Sequence, residues 1–408
     1  MRSALVAPVI GGKDASGGST GALPTGPTGA SSSACYVVPV DRPTVVDLFS
    51  GAGGTGLGFH QAGFRIIGAV ELDPHAAETY TRNLAVDVTK TDIRRLKPSN
   101  LRETMNVNKG ELDVLVGCPP CQGFSRMRNE KGADDRRNGL VLHYLRFVVE
   151  LMPRFAVFEN VPGVVGTKHG AALYRKLCDG LRKLGYALGE YKLDAADYGI
   201  AQHRRRVIVI AGREGRSPPV LARTHSAPTS PSVLRGDQLP WRTVRTDIGD
   251  GKYPKLRAGE SGEDGGRFAN HVAPATGPKV LEFIERVPPN GGSRTDVAEE
   301  YWLACHRGHD GHRDVYGRLA WDRPSNTITS GCTNPSKGRF VHPEQHRALT
   351  AREAAALQGF PDTFVFHGAR IAWQIGNAVP PPLASAIATA LRNQLLGAGV
   401  VLGSHSMG

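Results

Sequence analysis

Cysteine is scarce: six in 408 residues, too few for a disulfide framework, so a reducing, cytosolic setting is expected. Long apolar runs are missing as well. None approaches the roughly 18 residues that a membrane span requires, which removes a helical membrane protein from consideration. The opening stretch MRSALVAPVIGG carries one arginine and a short apolar run with no convincing cleavage site after it, so a secretory signal is not expected. No internal repeat recurs, which argues against a repeat array. Acidic residues are in deficit. Fifty Lys and Arg against 38 Asp and Glu give a net charge of +12 and a pI near 9.6. That excess serves solubility and also suits a polyanionic partner.

Residues 11–34 are Gly, Ser, Thr, Ala and Pro with almost no bulk or charge. Such a segment cannot bury enough apolar surface to offset its ordering entropy. A disordered tail is expected over 1–42, with Cys35 incidental. From Pro43 the pattern changes. TVVDLF (44–49), FRIIGAVEL (64–72), LDVLVG (112–117), RFAVFEN (154–160), YALGEYKLDA (186–195) and RVIVIAG (206–212) read as strands. Helical spacing separates several of them, in PHAAETYTRNL (74–84), LVLHYLRFVVEL (140–151) and ALYRKLCDGLRKLG (172–185). Alternation of this kind predicts an α/β protein with an open, mostly parallel, doubly wound, Rossmann-like sheet, whose ligands bind at the carboxyl ends of the strands. The rhythm fails after about 215. The expected division is a sheet domain over 43–250, a smaller irregular domain over 251–345, and a connecting segment over 346–370. Helical segments at 350–360 and 381–396 follow, and 371–396 completes the sheet domain.

DLFSGAGGTGLGF (47–59) carries Gly51-x-Gly53-x-x-Gly56 after a strand and before a helix, with Glu71 twenty residues beyond Gly51. Glycines permit close backbone approach and a carboxylate can hold ribose hydroxyls, so an adenosine cofactor is expected. NAD and S-adenosylmethionine both fit at this point. The bulky Phe49 inside the turn suits stacking on adenine. Asp92 in KTDIRRL (90–96) can accept from the adenine amino group with Ile93 against the ring, or simply cap the stretch that follows.

GCPPCQGFS (117–125) sets Cys118 and Cys121 around two prolines. A redox dithiol, half of a zinc site and a single nucleophile all fit that spacing. A zinc site would need partners such as Cys305, His306, His309 and His312, but no second Cys-x-x-Cys pair is present, and no metal is expected. As a nucleophile, Cys121 would sit in a loop at the sheet's carboxyl edge, where backbone dipoles and nearby arginines favour the thiolate.

Six motifs then stand in order: DLFSGAGG, GCPPCQGFS, FENV (158–161), QHRRRV (202–207), RPSNTIT (323–329) and IGNAVPPPL (375–383). Together, over about 43–396, the chain resembles the DNA cytosine 5-methyltransferases. The resemblance implies a methyl transfer from S-adenosylmethionine to carbon 5 of cytosine, with a flipped-out base and a covalent cysteine adduct. It implies Cys121 as nucleophile, Glu159 as the acid at the ring's nitrogen 3, and Arg204 and Arg206 as a basic pair near the target base. Phe49, Gly51, Gly53, Gly54, Leu57, Glu71, Leu72, Asp92, Ile93, Pro119, Asn377 and Ala378 fall where the family holds its cofactor. On the same ground, 251–345 becomes the target-recognition domain and double-stranded DNA the partner. A monomer on DNA, nucleoid-associated in the cytoplasm and paired with a restriction endonuclease, is the expected setting. Two other readings stand beside it. The same fold can methylate a transfer-RNA cytosine, although the long recognition region favours DNA. An NAD-dependent oxidoreductase would use the glycine loop but leave GCPPCQGFS and QHRRRV without a role.

Overall fold

Three strands, β1 (Thr44–Leu48), β4 (Val114–Gly117) and β5 (Phe155–Asn160), are buried almost throughout. A strand covered on both faces has no polar side with which to alternate. The computed structural model in which they are seen describes residues 42–120, 139–264, 266–307 and 313–397. The expected tail therefore lies outside the described residues except for Arg42, as do Cys121, His309 and His312.

With β2 (Arg65–Glu71), β3 (Val88–Lys90), β6 (Ala187–Asp194) and β7 (Arg205–Gly212), these strands form a seven-stranded sheet in the order β3-β2-β1-β4-β5-β7-β6. Neighbours are parallel from β3 through β5, while β7 runs antiparallel to both β5 and β6. The predicted doubly wound α/β sheet is what is found. Its strand order reverses between β1 and β4, and the crevice at such a switch point is where ligands bind. The glycine turn after β1 and the Cys118–Pro119 turn after β4 meet there, with the Cys118 amide donating to Leu48 O at 3.3 Å.

Helices α1 (Gly54–Gln61), α2 (Pro74–Leu84), α3 (Pro98–Thr104), α4 (Leu140–Leu151), α5 (Gly163–Gly166) and α6 (Lys168–Lys183) belong to this half of the chain. The start of α2 is set locally. Asp73 accepts from the His75 and Ala76 amides at 3.0 Å each, and Pro74 occupies the first turn. On α4 the buried side chains are Leu140, Val141, Tyr144, Phe147, Val148 and Leu151, one stripe at helical spacing. Fully burying each large apolar group contributes about 1.5–3 kcal/mol.

Beyond β7 come α7 (Pro231–Leu234), a two-residue parallel pair of β8 (His225–Ser226) with β9 (Leu239–Pro240), and α8 (Val244–Ile248). Residues 251–300 lack sustained periodicity in sequence, yet contain α9 (Pro278–Arg286). Only Phe283 and Ile284 of α9 are buried, too few to write a legible stripe. They form a small core with Val287, Val297, Tyr316 and Val341. Leu319, Trp321, Ile328, Cys332, Phe340 and Leu349 instead share a core with Ala52, Leu57 and Tyr80 of the sheet half. Finally α10 (Ala351–Leu357), α11 (Ile371–Asn377) and α12 (Pro381–Leu395) return to the sheet. The contact between α1 and α12 is close: a Cβ on Gly58 would stand 2.5 Å from Pro381 O.

Candidate active site at the carboxyl edge of the sheet

The turn after β1 is built around three left-handed backbone positions, Phe49, Gly51 and Gly53, the last with φ +103°. Phe49 has φ +58° and Gly51 has φ +54°. A bulky residue in the left-handed region is uncommon, and such positions concentrate at functional sites. Phe49 is half-buried against the main core. At Gly51 a Cβ would meet nothing within 4 Å, so its outer face is open. The other glycines do a different job. A Cβ on Gly53 would come 3.1 Å from Tyr80, and one on Gly54 only 2.1 Å from Val379 O. Leu57 is buried in the core shared with α10. Of these cofactor candidates, Gly53, Gly54 and Leu57 are packing positions, because α1 lies hard against α2 and the α11–α12 corner. Only Gly51 presents open space.

Glu71, at the end of β2, closes the turn from the side. Its Oε2 accepts from the Gly51 amide at 2.8 Å, while Oε1 accepts from the Leu72 and Asp73 amides at 2.8 Å each. Burial pushes its carboxyl above the usual range, against the pull of those three donors. Leu72 beside it is 63% exposed, an apolar side chain left open to solvent. Asp92 accepts from the side chain and the amide of Arg94, and the Arg94 hydrogen bond holds its carboxyl below the ordinary range. Ile93 is buried in the main core. Asp92 and Ile93 thus occupy capping and packing positions in this conformation.

Beneath the turn, Asp47 is fully enclosed, and burial raises its carboxyl to about 8. Tyr80 hydroxyl lies 3.4 Å from its Oδ2. Cys118 Sγ is 3.7 Å from Thr55 Oγ1, and burial together with the charges of Glu159 and Asp47 pushes its thiol well above the usual value. Cys118 is a free thiol poorly placed to ionise. Pro119 O accepts from Asn160 Nδ2 at 3.1 Å, which pins the turn leading toward Cys121. Asn160 lies in the FENV motif but drew no attention in sequence, because its partner is a backbone atom forty-one residues away.

Glu159 and Arg206 are both almost buried, and Arg206 Nε is 2.7 Å from Glu159 Oε1. The antiparallel register pairs Glu159 with Ile208 and Asn160 with Val207, so Arg206, two residues before Ile208, emerges on the Glu159 face. Beside the pair opens a cavity of about 550 Å³ lined by Pro162, His203, Arg205, Arg206, Asn326 and Thr327. Asn326 and Thr327 belong to RPSNTIT, a motif recognised in sequence without any residue being singled out.

Arg204 departs from the expected basic pair. Its guanidinium donates to Ile328 O at 2.8 Å, Gly376 O at 2.8 Å and Ala378 O at 3.1 Å. It is buried and does not line the cavity, so of the two arginines only Arg206 faces it. The cause is strand geometry: Arg204 precedes β7 and its side chain runs beneath the 325–329 segment. Ala378 is buried in the shared core, whereas Asn377 is exposed and its Nδ2 donates to Trp373 O at 2.9 Å.

Comparison with known proteins gives this geometry a context. A family model described as C-5 cytosine-specific DNA methylase matches residues 43–393. The type II methyltransferase M1.HphI of Haemophilus parahaemolyticus is 38% identical over 364 residues, covering 87% of this chain and 88% of that protein. M.XorII of Xanthomonas oryzae pv. oryzae is 33% identical, covering 85% of this chain and 84% of that protein. Among solved structures, a DNA modification methyltransferase encoded within an E. coli prophage superimposes with a TM-score of 0.65 at 25% identity, over 87% of this chain and all of that one. The Dnmt2 methyltransferase of S. pombe, at 19% identity and a TM-score of 0.55, shares the fold over 88% of this chain and all of that one. The chain belongs to the C-5 cytosine-specific DNA methylase family, and is an enzyme that methylates cytosine in DNA at carbon 5.

Proposed function

We propose that the chain methylates one cytosine within a specific duplex DNA word, taking the base out of the helix and holding it beside Glu159 and Arg206. The observation that carries this reading is the 2.7 Å Glu159–Arg206 pair, whose arginine lines the 550 Å³ cavity, on the same sheet edge as the glycine turn. A cytosine inside the stack cannot reach such a recess, so the base is extruded.

S-adenosylmethionine fits the residues at the switch point. Gly51 offers an open face, Leu72 an exposed apolar surface for a ring, and Ser50 Oγ is buried with no hydrogen-bond partner among the described residues. In this reading Gly51, Glu71, Leu72, Pro119 and Asn377 would hold the cofactor, with Phe49 suited to stack on its adenine. When bound, it supplies an electrophilic sulfonium methyl. The chain's own residues prepare the base. The Cys121 thiolate adds to carbon 6, which turns the ring into an enamine nucleophilic at carbon 5. Glu159 carries or shares the proton at nitrogen 3 that this addition demands, and Arg206 both orients Glu159 and donates toward the base carbonyl. Once carbon 5 has bonded the methyl group, loss of its proton to solvent re-forms the 5,6 double bond and expels the Cys121 thiolate. Because burial keeps Cys118 protonated, it plays no nucleophilic part.

The smaller core around α9 reads the DNA word, in this proposal, with base-edge contacts that specify it and Lys and Arg contacts to phosphate that position the duplex. The type II names of the relatives support a restriction endonuclease of the same specificity as the cellular counterpart; action on cytoplasmic DNA as a monomer is the remaining part of the proposal. Bisulfite sequencing of DNA from cells expressing the chain tests the whole reading. A single methylated word should emerge. Unmethylated DNA alongside methylated transfer RNA would overturn it.

A further inference from the structure

Arg204 was expected at the target base and instead lies buried between two walls. One is the segment 325–329, which contributes Asn326 and Thr327 to the cavity. The other is the α11–α12 corner, where Asn377 stands. One guanidinium donates to Ile328 O on the first wall and to Gly376 O and Ala378 O on the second. Five donors fixed in one plane suit such a three-way grip, which a flexible ammonium cannot reproduce.

The surroundings repeat the arrangement. Gln202 Oε1 accepts from the Ile328 amide at 2.9 Å, and its Nε2 donates to Gln358 Oε1 at 2.5 Å. Gln358 Nε2 in turn donates to Ala378 O at 2.7 Å. The two walls also touch directly, since a Cβ on Gly376 would stand 2.1 Å from the Thr329 carbonyl carbon. Further out, Thr327 Oγ1 donates to His203 O at 2.7 Å. The three carbonyl oxygens that Arg204 reaches would otherwise lack this donor, a costly state in a buried place.

We propose that Arg204 is a positioning residue that fixes the base cavity and the cofactor pocket at one separation, so that occupation of either favours the other. The proposal rests on the reading that Asn377 borders the cofactor and that Arg206 with Glu159 borders the base. Methyl transfer needs reacting atoms held within a few tenths of an ångström of the productive arrangement. Reciprocity then follows, because a ligand that orders one wall lowers the cost of ordering the other.

The test measures S-adenosylhomocysteine affinity with and without the methylated DNA word, alongside the single-turnover rate and kcat and KM for DNA. In the wild type, DNA should tighten S-adenosylhomocysteine binding by about tenfold. In Arg204→Lys the tightening should fall to within twofold and the single-turnover rate should drop at least tenfold, while KM for DNA changes less than kcat. Arg204→Met is the more severe variant. Should it fail to unfold cooperatively, Gln358→Met, which removes the bonds to Gln202, Ile375 O and Ala378 O but leaves those of Arg204, replaces it and should lose part of the tightening. Unchanged tightening in folded Arg204→Lys would overturn the proposal. So would a loss confined to DNA affinity, which would put Arg204 at the base. Asn377→Ala and Glu159→Gln separate the two levels. If neither alters cofactor affinity or rate, the site reading itself fails, and the proposal with it.

Discussion

Arg206 and Glu159 lie on neighbouring antiparallel strands with Nε and Oε1 2.7 Å apart, and both side chains are nearly buried. One partner removed from such a pair leaves the other as an uncompensated charge, which costs more than the pair contributes. Glu159→Gln keeps the shape and removes the acid. It should lower the single-turnover methylation rate by about 10²- to 10⁴-fold while duplex binding stays within a few-fold of wild type. A rate unaffected by the change would remove Glu159 from the chemistry.

The two cysteines of GCPPCQGFS should behave differently. Cys121→Ser is expected to abolish methyl transfer and retain cofactor binding, because a serine hydroxyl is far less ionised. Cys118→Ser should keep substantial activity, since its thiol is buried and held protonated. DNA carrying 5-fluorocytosine gives a second readout. Cys121 should form an adduct stable on a denaturing gel, and Cys118 should not be needed for it. Equal losses in the two variants would revive a joint role for the pair.

Two glycines three residues apart should fail for different reasons. Gly54→Ala drives a Cβ into Val379 O, which is backbone, so α1 or the α11–α12 corner must move. A loss of about 1–3 kcal/mol in folding stability should follow. Gly51→Ala meets open space but a left-handed backbone, with a stability cost of about 1 kcal/mol and a clear loss of cofactor affinity. Urea unfolding and calorimetric titration of S-adenosylhomocysteine separate the outcomes.

Acid should destabilise the protein through His342 before it does so through Glu353. Burial lowers His342 to about 4 from 6.5, despite the charge of Glu353 nearby. Its Nδ1 accepts from the Glu344 and Gln345 amides at 3.1 and 3.0 Å, which a proton there would forbid. The folded state binds fewer protons than the unfolded one, so stability present above about pH 6.5 drains away toward pH 4. Burial alone would raise Glu353, but the Arg347 hydrogen bonds and charge bring it to about 2 from 4.5, so its share is lost only as pH falls from 4.5 toward 2. His342→Asn, whose side-chain oxygen can accept from the same amides, should flatten the urea midpoint between pH 6.5 and 4.5. A midpoint that still falls as steeply would place the titration elsewhere.

Specificity should travel with a shorter segment than composition suggests. Leu319, Trp321, Ile328, Cys332, Phe340 and Leu349 share a core with α1 and α10, whereas Phe283, Ile284, Val297 and Tyr316 form a separate cluster, joined from 319–349 by Val341. Exchanging about 278–316 for the matching stretch of a relative should change the methylated word and preserve methyl transfer. A folded chimera that keeps the original word would assign the reading to the sheet side.

The amino-acid sequence by itself determined the strand–helix alternation, the buried strands and the order of six motifs, and with them the family. These are local signals: a run of β-branched residues, a proline after an aspartate, a stripe at helical spacing. The capping of α2 by Asp73 and the buried face of α4 needed no knowledge of the rest. Only the tertiary structure decided which residues of a motif face open space and which face the protein's own packing. Gly51, Gly53 and Gly54 look alike in sequence, and what separates them is Tyr80 and Val379, brought in from elsewhere in the chain. Arg204 and Arg206 look like a pair, and the insertion of β7 antiparallel between β5 and β6 sets only Arg206 beside Glu159. Periodicity records whether a residue is buried, but the direction of a strand and the identity of its neighbour arise from pairing across long stretches of chain.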